Sequence, residues 1–174
     1  MKQSKLSVYD KVLMLIYSAL MVLPIILVFI YYNYLGLDLL VYVGWTILAV
    51  GLFLVFLAGH EFQKKGRVPK GKHLVHTTVL VDSGIYAVVR HPQYLGFTMF
   101  VLAFVLMSQH WLSVISGVTG SILFCMDVRK EEQANIEKFG DDYKRYMQKV
   151  PKMNFLVGII RLLQRRKRKR KVDE

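Results

Sequence analysis

Three long apolar runs organise the chain. Val12–Tyr32 contains no charged residue and only Ser18 as a clearly polar one, and Leu37–Gly59 carries a single charge, Asp38, at its edge. Tyr94–Met126 has no Asp, Glu, Lys or Arg over 33 residues. A membrane-crossing helix needs ~20 largely apolar residues, so the first two runs each predict one span. The third is too long for one span and suits two short ones. Its turn is expected at Ser108-Gln109-His110-Trp111, where Gln and His favour a wet interface and Trp anchors. The predicted spans are 12–32, 37–59, 93–108 and 111–126, with Pro24 kinking or bending the first. Val12–Tyr32 exceeds a secretory-signal core and lacks a small-residue cleavage pattern, so it reads as a retained helix.

The remaining stretches are polar. His60–Arg90 reads as a loop whose first part, KKGRVPKGK, is turn-rich. VRKEEQANIEKFG reads as a helix continuing out of the fourth span and stopping at Gly140. DDYKRYMQKVP begins another helix, with Asp141 as its expected N-cap and Pro151 beyond its end. Tyr143, Tyr146, Met147 and Val150 recur at helical spacing and form one apolar face. FLVGIIRLL, Phe155–Leu163, is too short to span and is expected to lie on the membrane surface. The fold class is therefore all-α integral membrane: one membrane domain over 1–174, about four transmembrane helices, and cytoplasmic C-terminal helices within 127–174.

Composition supports that class. The hydrophobic fraction of 54% exceeds the ~45–50% usual for soluble domains. A single cysteine, Cys125, excludes an intramolecular disulfide framework and a cysteine metal cluster. The net charge of +12 and the run QRRKRKRK resemble a nucleic-acid patch, but the distribution argues otherwise. Residues 1–11, 60–93 and 127–174 hold three, six and fifteen of the 24 basic residues, and the connections 33–36 and 108–111 hold none. That alternation follows the positive-inside rule, placing both termini in the cytoplasm. The membrane would be the plasma membrane of a prokaryote or the endoplasmic reticulum of a eukaryote. Membrane lipids, rather than nucleic acid, are the expected partners of the basic tail.

The junction GIYAVVRHPQYLG places Arg-His-Pro directly before the third apolar run. The residue before a proline avoids helical geometry and Pro is welcome at the first helical position, so His91 is expected extended and Pro92 first in the span. The amides of Gln93, Tyr94 and Leu95 would then stand open at a positive helix end beside Arg90 and His91, a ready anion site. The plainer reading is that Arg90 snorkels to headgroups and His91-Pro92 only caps the helix. Glu131 and Glu132 shift the balance, because the helical hairpin returns them towards the start of the third span. A ligand carrying a carboxylate and cationic groups would satisfy both clusters. The alternative for the glutamates is a solvated turn pairing with Lys130 or Lys138.

SGIYAVVRHPQYLG, followed after a hydrophobic hairpin by EEQANIEKFGDDYKRYMQKVP, closely resembles the isoprenylcysteine carboxyl methyltransferase family and the related phospholipid N-methyltransferases. The likeness runs from about Thr77 to Lys152. It implies an integral membrane enzyme using S-adenosyl-L-methionine and releasing S-adenosyl-L-homocysteine, with no Rossmann sheet. Carried over by position, His91, Pro92, Gln93 and Tyr94 match the motif that holds the cofactor. Tyr86 matches a tyrosine five positions before that histidine, and Thr78, Val79, Leu80 and Val81 match a segment running along the cofactor. Glu131 and Glu132 match the acidic pair, at least one of which contacts it. Tyr86 and Tyr94 are expected to face the adenine or the sulfonium, or to pack at the interface.

One departure bears on the methyl acceptor. The carboxyl methyltransferases carry an arginine four residues before the first glutamate; this chain has Asp127 there. Arg129 is displaced by ~200° on a helix and does not replace it simply. Asp127 and Arg129 are the candidate catalytic residues. The expected acceptor is a lipid or a lipidated, isoprenylcysteine-like amphiphile. Asp127 itself favours an amine-bearing lipid of the phosphatidylethanolamine type over efficient prenylcysteine methylation. The competing class is a four-span transporter, disfavoured because no span has a central charge, or a non-catalytic lipid-binding relative, which would keep the fold without binding the cofactor. His60-Glu61 lacks the second histidine of an HExxH motif, and His73 and His76 have the wrong spacing, so no metal site is expected.

Overall fold

Among the described residues, 7–66 and 77–173 of a computed structural model, six α-helices and one short 3-10 turn make up the regular structure, with no strand. α1 (Val8–Ile30) begins four residues before the apolar run because Ser7 and Asp10 form a capping box. The Asp10 amide donates to Ser7 Oγ at 3.1 Å and the Ser7 amide to the Asp10 carboxylate at 3.2 Å. Pro24 lies inside this helix, buried. α2 (Asp38–Lys65) continues past Gly59, so His60–Lys65 are helical rather than loop. Lys64 and Lys65 occupy its last turn, where the helix dipole favours cations.

α3 (Pro92–Ser108) starts at the expected proline. α4 (Trp111–Phe139) runs unbroken from the fourth apolar segment into the polar one and ends before Gly140, whose φ is +57°. α5 (Asp141–Lys149) is capped by Gly140 and not by Asp141. Asp141 and Asp142 instead fill its first turn, where carboxylates meet the positive helix end. α6 (Phe155–Asp173) is longer than the apolar stretch that begins it and takes in the basic tail.

α1, α2 and α4 are long and apolar enough to cross a membrane. α3 is a shorter apolar helix of 17 residues, rising about 25 Å at ~1.5 Å per residue, less than the ~30 Å hydrocarbon core. The chain is thus an all-α membrane protein with three full-length candidate spans and one short one.

Two compact units are present. The first comprises Met1–Leu52 with Phe97–Arg129. Its helices meet at small residues: a Cβ added at Gly120 would stand 3.0 Å from Leu20 Cβ, and one at Gly44 would stand 2.9 Å from Met107 Cγ. In the 108–111 turn Ser108, Gln109 and His110 are buried rather than wet, Gln109 and His110 each 7% exposed, while Trp111 is exposed. The Gln109 side chain donates to Asn33 Oδ1 at 2.7 Å and to the Leu37 carbonyl at 2.9 Å, and accepts from the Leu37 amide at 3.1 Å. His110 stacks on Tyr31 with ring centroids 4.1 Å apart. The Gln109 side chain thereby ties this turn to the α1–α2 connection without water, while His110 Nδ1 accepts from the Leu112 amide at 3.3 Å in the first turn of α4.

The second unit comprises Phe53–Gly96 with Lys130–Glu174. Its core is Tyr143, Tyr146 and Val150 of the α5 face, packed against Leu80, Ile136, Phe139 and Met147. The face read from helical spacing is therefore the one that is buried.

Candidate active site

The 3-10 turn Gly84–Ala87 brings the chain up to the Arg-His-Pro junction. Gly84 has φ +63°, a left-handed backbone that favours glycine, and the Glu61 carboxylate packs over it, 2.6 Å from where a Cβ would stand. Beyond it, the amide of Arg90 donates to the Pro151 carbonyl at 3.1 Å, and that of His91 to the Lys152 carbonyl at 3.2 Å. This pairing holds the junction against the segment joining α5 to α6. The Tyr146 hydroxyl donates to the Tyr86 carbonyl at 2.7 Å, and Arg165 Nη2 to the Ala87 carbonyl at 2.9 Å. Gly158 lets α6 close on the same loop, since a Cβ there would lie 2.1 Å from the Val88 carbonyl oxygen.

With its backbone held, the His91 side chain is buried at 4% exposure against the acidic pair of α4. Its Nε2 lies 3.3 Å from Glu132 Oε1 and its Nδ1 3.8 Å from Glu131 Oε1. Glu132 is also buried and is the hub of the cluster, with Arg90 Nη2 at 3.0 Å from Oε1 and Lys152 Nζ at 3.3 Å from Oε2. A buried carboxylate is tolerable only when paired in this way. Glu131, one position and about 100° round the helix, is exposed. Burial pushes the His91 pKa below its ordinary value against the pull of Glu131 and Glu132, so the imidazole is neutral at neutral pH. Arg90, Lys152, Glu131 and Glu132 then balance in charge around it.

The helix start differs from expectation at Leu95. Leu95 N–H donates to the His91 carbonyl at 3.1 Å, closing the first helical bond. Tyr94 meets His91 edge-on with ring centroids 5.7 Å apart, and Gln93 is half-buried. Tyr86 is a packing residue here: it is buried, tilted against Phe62 at 5.7 Å, with its hydroxyl towards the Ala58 carbonyl. Burial raises the phenol pKa of Tyr86 and Tyr146, keeping both protonated donors.

Thr78, Val79 and Leu80 line a cleft of about 490 Å³ in the same unit, together with Asp82, Asp142, Arg145, Tyr146, Lys149 and Arg165. Val81 is buried instead of lining it, and His91, Glu131 and Glu132 are not among its walls. The sequence-read residues thus divide between this cleft and the ion cluster. Asp127 and Arg129 join neither: Tyr17 hydrogen-bonds to Asp127 in the first unit, and Arg129 is exposed. Pro151, Lys152 and Arg165 are site-building residues that sequence reasoning did not single out. Only the extent of the likeness, which runs to about Lys152, one residue past the second resembling block, pointed towards Lys152.

The family model described as phospholipid methyltransferase matches residues 39–142, spanning α2, α3 and α4 with every candidate residue of the cluster except Lys152. The chain belongs to this family. Protein-S-isoprenylcysteine O-methyltransferase of Schizosaccharomyces pombe is 35% identical over 74 residues, covering 42% of this chain and 31% of that protein. The Saccharomyces cerevisiae protein of the same name is 34% identical over 99 residues, covering 53% and 38%. Methanethiol S-methyltransferase of Pseudomonas deceptionensis is 29% identical over 119 residues, covering 66% and 43%. The chain matches less than half the length of each of these relatives. No solved structure matches it.

Proposed function

We propose that this family member is a membrane methyltransferase that uses S-adenosyl-L-methionine and methylates a lipid or lipidated amphiphile. The observation that carries the reading is the meeting of His91 with Glu131 and Glu132, inside the family-matched stretch and in the unit that also holds the Thr78–Leu80 cleft.

The residues present fit such a cofactor. Arg90 Nε is buried with no hydrogen-bond partner among the described residues, a donor suited to an anionic group. Glu131 is an exposed carboxylate suited to an ammonium or a ribose hydroxyl. The cleft volume of about 490 Å³ is within the range of small-molecule sites. When bound, the cofactor would supply a methyl group activated by a sulfonium. The chain's own contribution is alignment and exclusion of water. A neutral His91 adds no positive charge beside a cationic group, and Glu132 holds Arg90, His91 and Lys152 in one geometry.

A second reading concerns the acceptor. Asp127, standing where a carboxyl methyltransferase carries arginine, removes a cation and supplies a carboxylate. A carboxylate acceptor attacks without losing a proton, whereas an amine must be neutral and benefits from a nearby proton acceptor. This favours an amine-bearing lipid. The test offers the purified chain labelled S-adenosyl-L-methionine with a prenylated cysteine analogue or phosphatidylethanolamine in mixed micelles. Saturable transfer to either supports the enzyme, and transfer to phosphatidylethanolamine alone supports the role of Asp127. Base-labile ester on the prenylcysteine alone removes that role, and no transfer to any amphiphile contradicts the proposal.

A further inference from the structure

α6 carries a feature that methyl transfer does not use. A groove of about 280 Å³ between α5 and α6 is lined by Gln148, Lys149, Arg161, Gln164, Arg165 and Arg168. Four of these six are cations and none is acidic, whereas the larger cleft is offset by Asp82 and Asp142. Like charges crowded on two helices repel one another unless an anion joins them. The groove is held open by the fold: Gly158 packs α6 on Val88, and Arg165 is fixed by Nη2 on the Ala87 carbonyl and by Nε on the Arg161 carbonyl at 3.2 Å. A guanidinium has five N–H donors, so Arg165 keeps others for a ligand.

The same helix indicates where the anion comes from. Leu156, Ile160 and Leu163 are 73%, 54% and 52% exposed, and fall within about 60° of one another at ~100° per residue. Arg161 and Arg168 lie about 120° from that stripe, so a helix with its stripe in acyl chains holds them at headgroup level. Nucleic acid would match the arginines and leave the stripe in water.

We propose that the α5–α6 groove binds the phosphate headgroup of an anionic phospholipid, with Leu156, Ile160 and Leu163 in the acyl layer. Lys149 and Arg165 also line the larger cleft, whereas Arg161 and Arg168 line the groove alone and belong to neither that cleft nor the ion cluster, so they separate this site from the methyltransferase reading.

Native mass spectrometry of the 174-residue chain in neutral detergent, with equimolar phosphatidylglycerol and phosphatidylcholine, tests it. The expected result is preferential retention of phosphatidylglycerol, reduced roughly 10-fold in affinity by Arg161→Gln/Arg168→Gln. Arg166→Gln/Arg170→Gln, with the same change in charge outside the groove, should keep the preference. Replacing Leu156, Ile160 and Leu163 by Ser should weaken long-chain more than dihexanoyl phosphatidylglycerol. Equal retention of the two lipids, or equal loss in both arginine pairs, overturns the site. Competition by inorganic phosphate as effective as by the lipid, or tighter groove-dependent binding of a DNA duplex, overturns its assignment to lipid.

Discussion

Nε2 of His91 lies 3.3 Å from Oε1 of Glu132, 41 positions further along the chain. The contact joins the start of α3 to the polar half of α4, and Arg90 and Lys152 converge on the same carboxylate. The structure therefore contains a small, nearly neutral ion cluster whose members come from three separate segments.

The two glutamates should differ sharply in stability effect. Glu132 is buried with three partners, so Glu132→Gln leaves Arg90 and Lys152 without their carboxylate and should cost about 3 kcal/mol. Glu131→Gln alters an exposed group and should cost under about 1 kcal/mol. Denaturant unfolding in a fixed detergent compares them; equal losses would mean that Glu132 is not the hub.

Acid should weaken the fold through His91. Its folded pKa lies below the ordinary 6.5, so between those values the unfolded chain binds the proton more readily. The stability is fully present above 6.5 and declines as the pH falls from there through the folded pKa. Thermal melts from pH 7.5 downward should show this loss in the native chain and a flatter profile in His91→Gln. A wild-type profile flatter than that of the variant would reverse the assigned direction.

Gly158→Ala should detach α6. Its Cβ would meet the Val88 carbonyl at 2.1 Å, and backbone cannot yield as a side-chain tip can. Overpacking of this kind costs about 1–3 kcal/mol or more. Limited proteolysis should cut the α5–α6 connection faster, while Gly59→Ala, which meets nothing within 4 Å, should not.

Much of this fold was legible because its signals are local. The apolar runs located all four apolar helices, Pro92 marked the start of α3, Gly140 the break after α4, and the spacing of Tyr143, Tyr146 and Val150 the buried face of α5. Boundaries failed where local chemistry competes: Ser7 with Asp10 extends α1, and the backbone freedom of Gly140 displaces Asp141 as the cap. Gln109 and His110 looked like interface residues, since nothing near them in sequence reveals Asn33, Leu37 or Tyr31 as partners. The meeting of His91 with the glutamates was legible from the hairpin. The backbone pairing of residues 90–91 with 151–152 was not, because main-chain bonds leave no residue pattern. For Tyr86 the sequence left ligand contact and packing both open, as an aromatic side chain suits either, and only the fold shows it packed against Phe62.

The central claim is that His91 and the acidic pair serve one cofactor site. Titrating the detergent-purified chain with S-adenosyl-L-homocysteine tests it most directly, using His91→Ala and Glu131→Gln alongside the native sequence, each checked for a monodisperse, folded state. Loss of a polar partner to a bound ligand should weaken binding by roughly 10-fold or more in each variant. Unchanged affinity in both folded variants would contradict the account and return the cluster to a purely structural role.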